Sequence, residues 1–569
     1  MIANDYQHWK IETDYNHICW LHFDMKDSRA NLLSQEAIGE LNGILQSLEK
    51  SPPKAIVLVS DKTDSFVFGA DIKEFTTLDN RRQALAFLRN GHALMDRLAA
   101  MPCTTVSMIH GICMGGGTEL SLACDYIIAS DDRKTKIALP EIKLGIFPGF
   151  GGSVRSVQRC GPLAAMNMML TGRALSARAA KKIRLLDEIV PQRQLRTAAE
   201  HYALKAPPRK PLPWHTRLLN NVLLRPLVAA QMRKQVAQKA KPEHYPAPYA
   251  LIKLWQQYAD KPQRMLKEEI LTVADLATTP TARNLVRVFF LQEQLKSQGK
   301  QLNFDVEHVH VIGGGIMGGD IAAWCAIQGY SVTVQDQSPE QLAKTIERAQ
   351  YSFKKKFKRD RRAIRDANDR LMADHRGVGI HRADIVIEAI FEDREVKRKL
   401  YADIEPKMKA GAILATNTSS IRLEDLSDCL NDPGRLVGLH FFNPVALMPL
   451  VEIIHGEQSD ETAVQKALAF GRNIGKLPLD VKSSPGFLVN RILMPYIVEA
   501  VTMLDEGIPP EVIDRAATDF GMPMGPIELA DAVGLDICKH VAEILSEALS
   551  MELPANLKSL PKDRLGKKS

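Results

Sequence analysis

The sequence predicts a multidomain α/β protein. Three observations carry this. The chain has 569 residues, 45% apolar and 25% charged, an ordinary soluble composition with enough length for roughly three or four domains. Short apolar runs alternate with segments of helical periodicity along most of it. Val309–Asp336 reads as strand, glycine turn, helix, strand and acid in one unbroken unit.

Taken in order, residues 11–25 alternate as strands do, and Leu32–Ser51 repeats apolar residues at helical spacing. Ala55–Ser60 is a buried strand, Arg81–Ala100 a helix and Thr104–Ile109 another strand. That strand runs into His110-Gly-Ile-Cys-Met-Gly-Gly-Gly-Thr-Glu-Leu120, a helix through Cys124 and a strand at Tyr126–Ala129. Ala138–Gly152 is too rich in glycine and proline for regular structure. Leu163–Arg184 is helical, residues 205–250 form a proline-rich basic connector, and Arg264–Gln298 holds one or two long helices.

Each part of the Val309–Asp336 unit has a physical task. Gly313 permits the tight turn after the strand, and Gly315 lets backbone approach a pyrophosphate. Gly318 lets the helix pack close on the strand, while Ile316 and Met317 begin that helix beside the phosphates. Asp336 can accept from a ribose hydroxyl and would repel a 2′-phosphate, so the expected cofactor is NAD rather than NADP. Beyond it lie a strand at Ala383–Ile390, another at Ala412–Ala415, the polar loop Asn417-Thr-Ser-Ser420, and a helical region opening at Pro485.

The motifs Gly69-Ala-Asp-Ile72, Met114-Gly-Gly-Gly-Thr-Glu-Leu120 and Leu139–Gly152 together resemble the crotonase, or enoyl-CoA hydratase, superfamily. Hydrating an α,β-unsaturated thioester needs two fixed donors for an enolate-like oxygen and groups that handle one water. The resemblance makes Ala70 and Gly116 the backbone donors of an oxyanion hole. It makes Glu119 and Glu141 the carboxylates, one taking a proton from water and the other giving one to C2. Singly, Glu119 reads as a helix-start glutamate and Glu141 as a loop residue; the three motifs in order favour chemistry. Thr118 stands where this family often has cysteine.

The second half resembles L-3-hydroxyacyl-CoA dehydrogenases throughout. Ser419, His440, Glu452 and Asn490 fall on that family's active-site positions. His440 suits the base that takes the hydroxyl proton, and Glu452 would fix its tautomer. Ser419 and Asn490 would orient the substrate oxygens. Asn417, Glu392 and Lys397 would touch the cofactor. The implied layout is a crotonase (ClpP/crotonase spiral) domain at 1–190, a helical linker at 191–304, a Rossmann NAD-binding domain at 305–484 and an all-α dehydrogenase C-terminal domain at 485–569.

Hydratase before dehydrogenase in one chain resembles the α-subunits of bacterial fatty-acid oxidation complexes. That implies acyl-CoA substrates, a thiolase β-subunit as partner in a hetero-oligomer, and an enoyl isomerase activity at the first site. The family continues through a second helical domain past the point where this sequence ends, at Asp563–Ser569. The expectation is therefore a working first site, a weak second one, and a bare apolar face at Val489, Ile492, Leu493, Tyr496 and Ile497. The rival reading is a hydratase only, or a non-catalytic NAD- or CoA-binding scaffold. The net charge of +7 is local: Ala206–Pro242 has eight Lys or Arg and no acid, and Lys354–Arg370 is also basic. No nucleic-acid motif accompanies these runs, so no nucleic acid is expected. Eight cysteines without a CxxC pair or zinc-like spacing predict free thiols and no metal, and the opening residues lack a signal-peptide pattern. A cytoplasmic protein without a membrane segment is expected.

Overall fold

The computed structural model describes residues 6–549 except 79, 210, 301 and 303. It divides into two compact units, Met1–Phe290 and Leu291–Ser569. The tail at Asp563–Ser569 lies outside the described residues.

The first unit holds a six-stranded sheet in the order Trp9–Thr13, Ile18–Phe23, Ala55–Ser60, Thr104–Ile109, Tyr126–Ser130, Glu188–Val190. Only the first pair is antiparallel. Ala55–Ser60 is buried along its whole length, as a parallel strand covered on both faces should be. A second, four-stranded sheet joins Ser65–Val67, Ile112–Met114, Lys136–Ala138 and Leu175–Ser176. The helix Gly116–Ala123 is buried all round, and Gly117 explains how. A Cβ there would lie 2.4 Å from Val67 O, so backbone passes backbone where no side chain fits.

One sequence expectation needs correction here. Ala138–Gly152 is not wholly irregular: it starts at the end of the strand Lys136–Ala138, contains a single 3₁₀ turn at Glu141–Leu144 and ends at the first residue of the helix Gly152–Cys160. The basic connector also contains helices, at Trp214–Leu218, Arg225–Ala237 and Pro246–Tyr258. Proline suits these helices, since Pro226 and Pro246 sit in first turns, where a missing N–H costs nothing. Arg264–Gln298 resolves into helices Pro262–Ala277 and Pro280–Ser297. One continuous core joins Leu120, Phe147 and Phe150 to Leu251, Trp255, Met265, Val273 and Ala282.

The second unit carries an eight-stranded sheet in the order Leu371–Ala373, Ser331–Gln335, His308–Ile312, Ile385–Glu388, Ile413–Thr416, Leu436–Phe441, Leu450–His455, Leu477–Lys482. All neighbours are parallel except Leu436–Phe441 with Leu450–His455. Val309 pairs with Val332 on one side and Ile385 on the other. The strand order reverses at His308–Ile312, which opens a crevice at its C-terminal end.

The helices Val489–Asp505, Pro526–Val533 and Leu535–Leu549 pack together around Met494, Ile497, Val498, Ala530, Val541 and Leu545. The face expected to be bare is mostly covered. Ile497 is 2% exposed, and Leu493 and Tyr496 pack against that cluster, while Ile492 remains 67% exposed. The later helices fold back on the first and cover it.

Gly318 yields a stability prediction. A Cβ there would meet Gly313 O at 2.0 Å, a backbone atom that cannot swing aside. Gly318→Ala should destabilise the second unit by about 1–3 kcal/mol. In hydrogen–deuterium exchange, peptides covering His308–Ile312 and Ile385–Glu388 should lose protection while those covering Ala55–Ser60 do not; equal protection in both would remove the packing argument.

Candidate active sites

The first site forms where the two sheets of the first unit meet the helix Gly116–Ala123. Leu33 N donates to Gly69 O at 2.7 Å and Asp71 N to Leu33 O at 3.4 Å, closing an isolated bridge between Leu33 and Ala70. That bridge uses the amides of Leu33 and Asp71, so the Ala70 N–H turns away from it and finds no acceptor among the described residues. Gly116 opens its helix, and a first-turn amide has no intrahelical partner. A Cβ on Gly116 would lie 3.2 Å from Ala70 N, so the two free donors are neighbours. Gly69 and Gly115 make this approach possible at φ +115° and +53°.

Two carboxylates flank these donors under different restraint. Glu119 Oε1 accepts from Phe150 N at 2.7 Å and Gly152 N at 2.8 Å. Both oxygens of Glu141 are buried without a hydrogen-bond partner. Oε1 of Glu141 lies 3.0 Å from where a Cβ on Gly115 would stand. Burial, then the charge of Glu269, lifts the Glu119 carboxyl to about 7, against the pull of its two amides and of His92. Burial and then the charge of Glu119 hold Glu141 well above the ordinary carboxylate range. The pair is thus split: an anchored group nearer ionisation and an unanchored group that keeps its proton.

The sequence reading missed what stands behind Glu119. Glu269, fully buried, accepts from Gly151 N at 2.6 Å and Ser153 N at 3.2 Å, and also from Ser153 Oγ. His92 Nε2 lies 3.0 Å from Glu269 Oε1. A signal was present. Glu269 continues the buried stripe Met265, Val273, Leu276, and His92 the stripe Leu88, Met95, places where a charged residue needs a partner.

The second site begins with the dinucleotide unit. Gly319 N makes the first intrahelical bond, to Gly315 O at 3.0 Å, which leaves the amides of Ile316, Met317 and Gly318 free. Nothing lies within 4 Å of a Cβ placed on Gly315, so those amides open onto space that an anion fits. Asp336 Oδ2 accepts from Gly314 N at 2.7 Å and Oδ1 from Ser338 N at 2.9 Å. The sequence reading also missed Gln341, Thr345 and Arg348, which donate to Gly314 O at 2.6, 2.5 and 3.3 Å. They come from the helix Pro339–Phe357 and fix the glycine turn. These residues suit a dinucleotide with a free ribose hydroxyl.

Further along the same sheet edge, His440 and Glu452 are directly opposed in the antiparallel pair. His440 Nδ1 lies 2.7 Å from Glu452 Oε2, and Glu452 Oε1 accepts from Leu488 N and Val489 N, each at 2.9 Å. A carboxylate can only accept, so Nδ1 carries the proton and Nε2 presents its lone pair. Asn490 Nδ2 donates to Ser419 O at 3.2 Å. Glu392 Oε1 gathers Thr418 Oγ1, Ser419 N, Ser419 Oγ, Ser420 N and Ser420 Oγ at 2.6–3.2 Å. Asn417 Oδ1 accepts from Phe441 N at 2.9 Å. Lys397 is 1% exposed, 2.7 Å from Glu388 Oε1 and 3.3 Å from Glu392 Oε2; it reaches the site by holding Glu392 in place. The four expected second-site groups thus form two hydrogen-bonded pairs, His440–Glu452 and Asn490–Ser419, which meet where Glu452 takes the amides at the start of the helix that carries Asn490.

Family models match three stretches of the chain: enoyl-CoA hydratase/isomerase over 13–261, the NAD-binding domain of 3-hydroxyacyl-CoA dehydrogenase over 308–484, and that enzyme's C-terminal domain over 486–569. The fatty acid oxidation complex subunit alpha of Aliivibrio fischeri is 37% identical over 98% of this chain and 83% of its own. Its counterpart from Vibrio cholerae is 36% identical over 95% and 78%. A solved (S)-3-hydroxybutyryl-CoA dehydrogenase from Ralstonia eutropha is 35% identical, over 45% of this chain and 93% of that one, with a TM-score of 0.43.

Proposed function

The chain belongs to the family of fatty acid oxidation complex α-subunits, and from that premise we propose which of its residues perform each reaction. The protein is a bifunctional β-oxidation enzyme: it hydrates an enoyl-CoA and oxidises the 3-hydroxyacyl-CoA with NAD.

In the first site the amides of Ala70 and Gly116 hold the thioester oxygen as charge moves onto it. Glu119, anchored through Oε1, takes a proton from water with Oε2 as the hydroxyl bonds to C3. Glu141 gives its proton to C2. An O–H bond of water, the O–H bond of Glu141 and the C=C π bond break while the C3–O, C2–H and Glu119 O–H bonds form, and the carboxyl pair ends with its protonation exchanged. The observation that carries this assignment is the contrast between two amides on Glu119 and no partner on Glu141. The same two groups suit an enoyl isomerase step, which moves a proton between C2 and C4.

In the second site the free amides of Ile316, Met317 and Gly318 and the carboxylate of Asp336 hold the cofactor. Bound NAD supplies the hydride acceptor for C3. His440 Nε2 takes the hydroxyl proton, and Glu452 stabilises the imidazolium that results. Ser419 and Asn490 orient the substrate oxygens, and Glu392, Lys397 and Asn417 shape the cofactor side. The name of the relatives supports assembly into a complex; we assign the partner as a thiolase β-subunit, to be tested by co-purification. Among the described residues no helix is long and apolar enough to cross a membrane, and we place the enzyme in the cytoplasm.

Three outcomes are expected. Glu119→Gln and Glu141→Gln should each lower hydration of an enoyl-CoA about 10²–10⁴-fold and spare oxidation of supplied 3-hydroxyacyl-CoA; equal loss of both activities would refute separate sites. Asp336→Ala should weaken NAD by about 1.5–3 kcal/mol and narrow its preference over NADP, read by titration calorimetry; an unchanged dissociation constant would remove Asp336 from the cofactor site. His440→Ala and Glu452→Gln should slow single-turnover hydride transfer while NAD still binds; unchanged rates would leave His440 a structural residue.

A further inference from the structure

We infer that Glu269 and His92 form a buried acid–imidazole couple that positions Glu119 and tunes the hydration step. This rests on Glu119 being the base of that step. Glu269 is fully buried and spends its oxygens on His92, Gly151 and Ser153 rather than on a ligand. The couple acts through the loop that holds Glu119.

The geometry is a relay of alternate amides. Phe150 N and Gly152 N donate to Glu119, while Gly151 N and Ser153 N donate to Glu269. Four successive residues therefore divide their amides between two carboxylates. Moving Glu269 drags the backbone that fixes Glu119 Oε1. No side chain fits at Gly152, where a Cβ would meet Glu119 Oε1 at 2.6 Å. Glu269 belongs to the helix Pro262–Ala277 and His92 to Arg81–Ala99, so two helices that contact no reacting atom hold the base in register.

Charge adds a second effect. Glu269 raises the proton affinity of Glu119 and His92 lowers it, Glu269 being the stronger. Burial pulls His92 down, but its hydrogen bond to Glu269 and the charges of Glu269, Glu119 and Asp96 outweigh that, so it binds a proton more readily than a free imidazole. The other groups facing this cluster are few. Glu141 comes from the turn Glu141–Leu144. Arg155, from the helix Gly152–Cys160, is tied to Phe150 O at 2.9 Å and Asp96 Oδ1 at 2.6 Å.

The signs follow. Neutralising Glu269 removes the larger, raising charge and discharges His92 with it, so Glu119 ionises at lower pH. Removing His92 leaves Glu269 unopposed, so Glu119 ionises at higher pH. In the full-length enzyme, Glu269→Gln should cut hydratase kcat about 10–100-fold with KM within about threefold, since a displaced base costs rate before binding. Its acid limb should move down by about half a pH unit or more, and that of His92→Gln up by a similar amount. Oxidation of supplied 3-hydroxyacyl-CoA should be unchanged in both, reporting intact protein.

If Glu269→Gln fails to fold, His92→Gln decides alone by the direction of its limb. A fall in kcat with neither the limb nor the Glu119 carboxyl titration moved would overturn the couple, because that is what loop packing alone produces. Unchanged kcat and limbs would overturn it too. Titrating the carboxyl band that Glu119→Gln abolishes, by infrared difference spectroscopy, separates the two readings. If that band shifts as stated and the kinetic limb does not follow, the couple stands and Glu119 is not the base.

Discussion

An ionised carboxylate out of water needs donors, and the supply of donors sorts the buried glutamates of this protein by task. Glu388 accepts from Lys397 Nζ, Ile390 N, Tyr401 OH and Thr416 Oγ1, all at 2.7–2.8 Å. Glu392 and Glu269 are similarly surrounded. Both oxygens of each of these groups face a donor, Glu392 Oε2 facing Lys397 Nζ at 3.3 Å, and each group fixes loops from several elements. Glu119 has donors on one oxygen only, and Glu141 has none. Leaving a buried carboxyl unsatisfied costs about 1–3 kcal/mol or more, a cost the fold bears only where proton transfer needs it. The acid–base pair is the place where the donors run out.

How much of this was legible depended on the reach of each interaction along the chain. The dinucleotide unit was readable because its parts are sequential. The strand and helix read at the start of the Val309–Asp336 unit correspond to the observed His308–Ile312 and Ile316–Gln328, and the glycine positions follow from local backbone needs. The first site's own motifs were readable for the same reason, since Ala70, Gly116, Glu119 and Glu141 each sit in a short glycine-bearing stretch. Glu269 was not, because its partner Gly151 is 118 residues away and nothing local requires an acid there. Its place on an apolar helical stripe was the available sign. The helix bounds inside the connector were not legible, although Pro226 and Pro246 mark first turns, where proline starts a helix.

The two sites solve one problem with different backbone devices. Each must present N–H groups to an anion or a developing oxyanion without reorganising at the moment of use. The first takes one amide from an isolated bridge and one from a helix start. The second takes consecutive amides from a helix start. Both then pass backbone against backbone at glycine, at Gly117 on Val67 and at Gly318 on Gly313. Side chains at those points would separate the layers and misdirect the donors, so packing and chemistry constrain the same residues.

Glu452 shows why such constraints come in networks. One oxygen fixes the imidazole of His440, and the other receives the two amides that begin the helix Val489–Asp505. The turn into that helix places Gly486 and Phe487 at φ +71° and +49°, and a non-glycine residue there costs roughly 1–2 kcal/mol. Phe487 is nevertheless buried, its ring 5.7 Å from that of His440. The strained turn, the capped helix and the imidazole tautomer therefore share one carboxylate. Asn490, the second residue of the helix, reaches Ser419 O from the position this cap sets. A change at Glu452 cannot disturb the base alone: it moves the helix start that carries the substrate-orienting amide, and the two effects on hydride transfer should be non-additive.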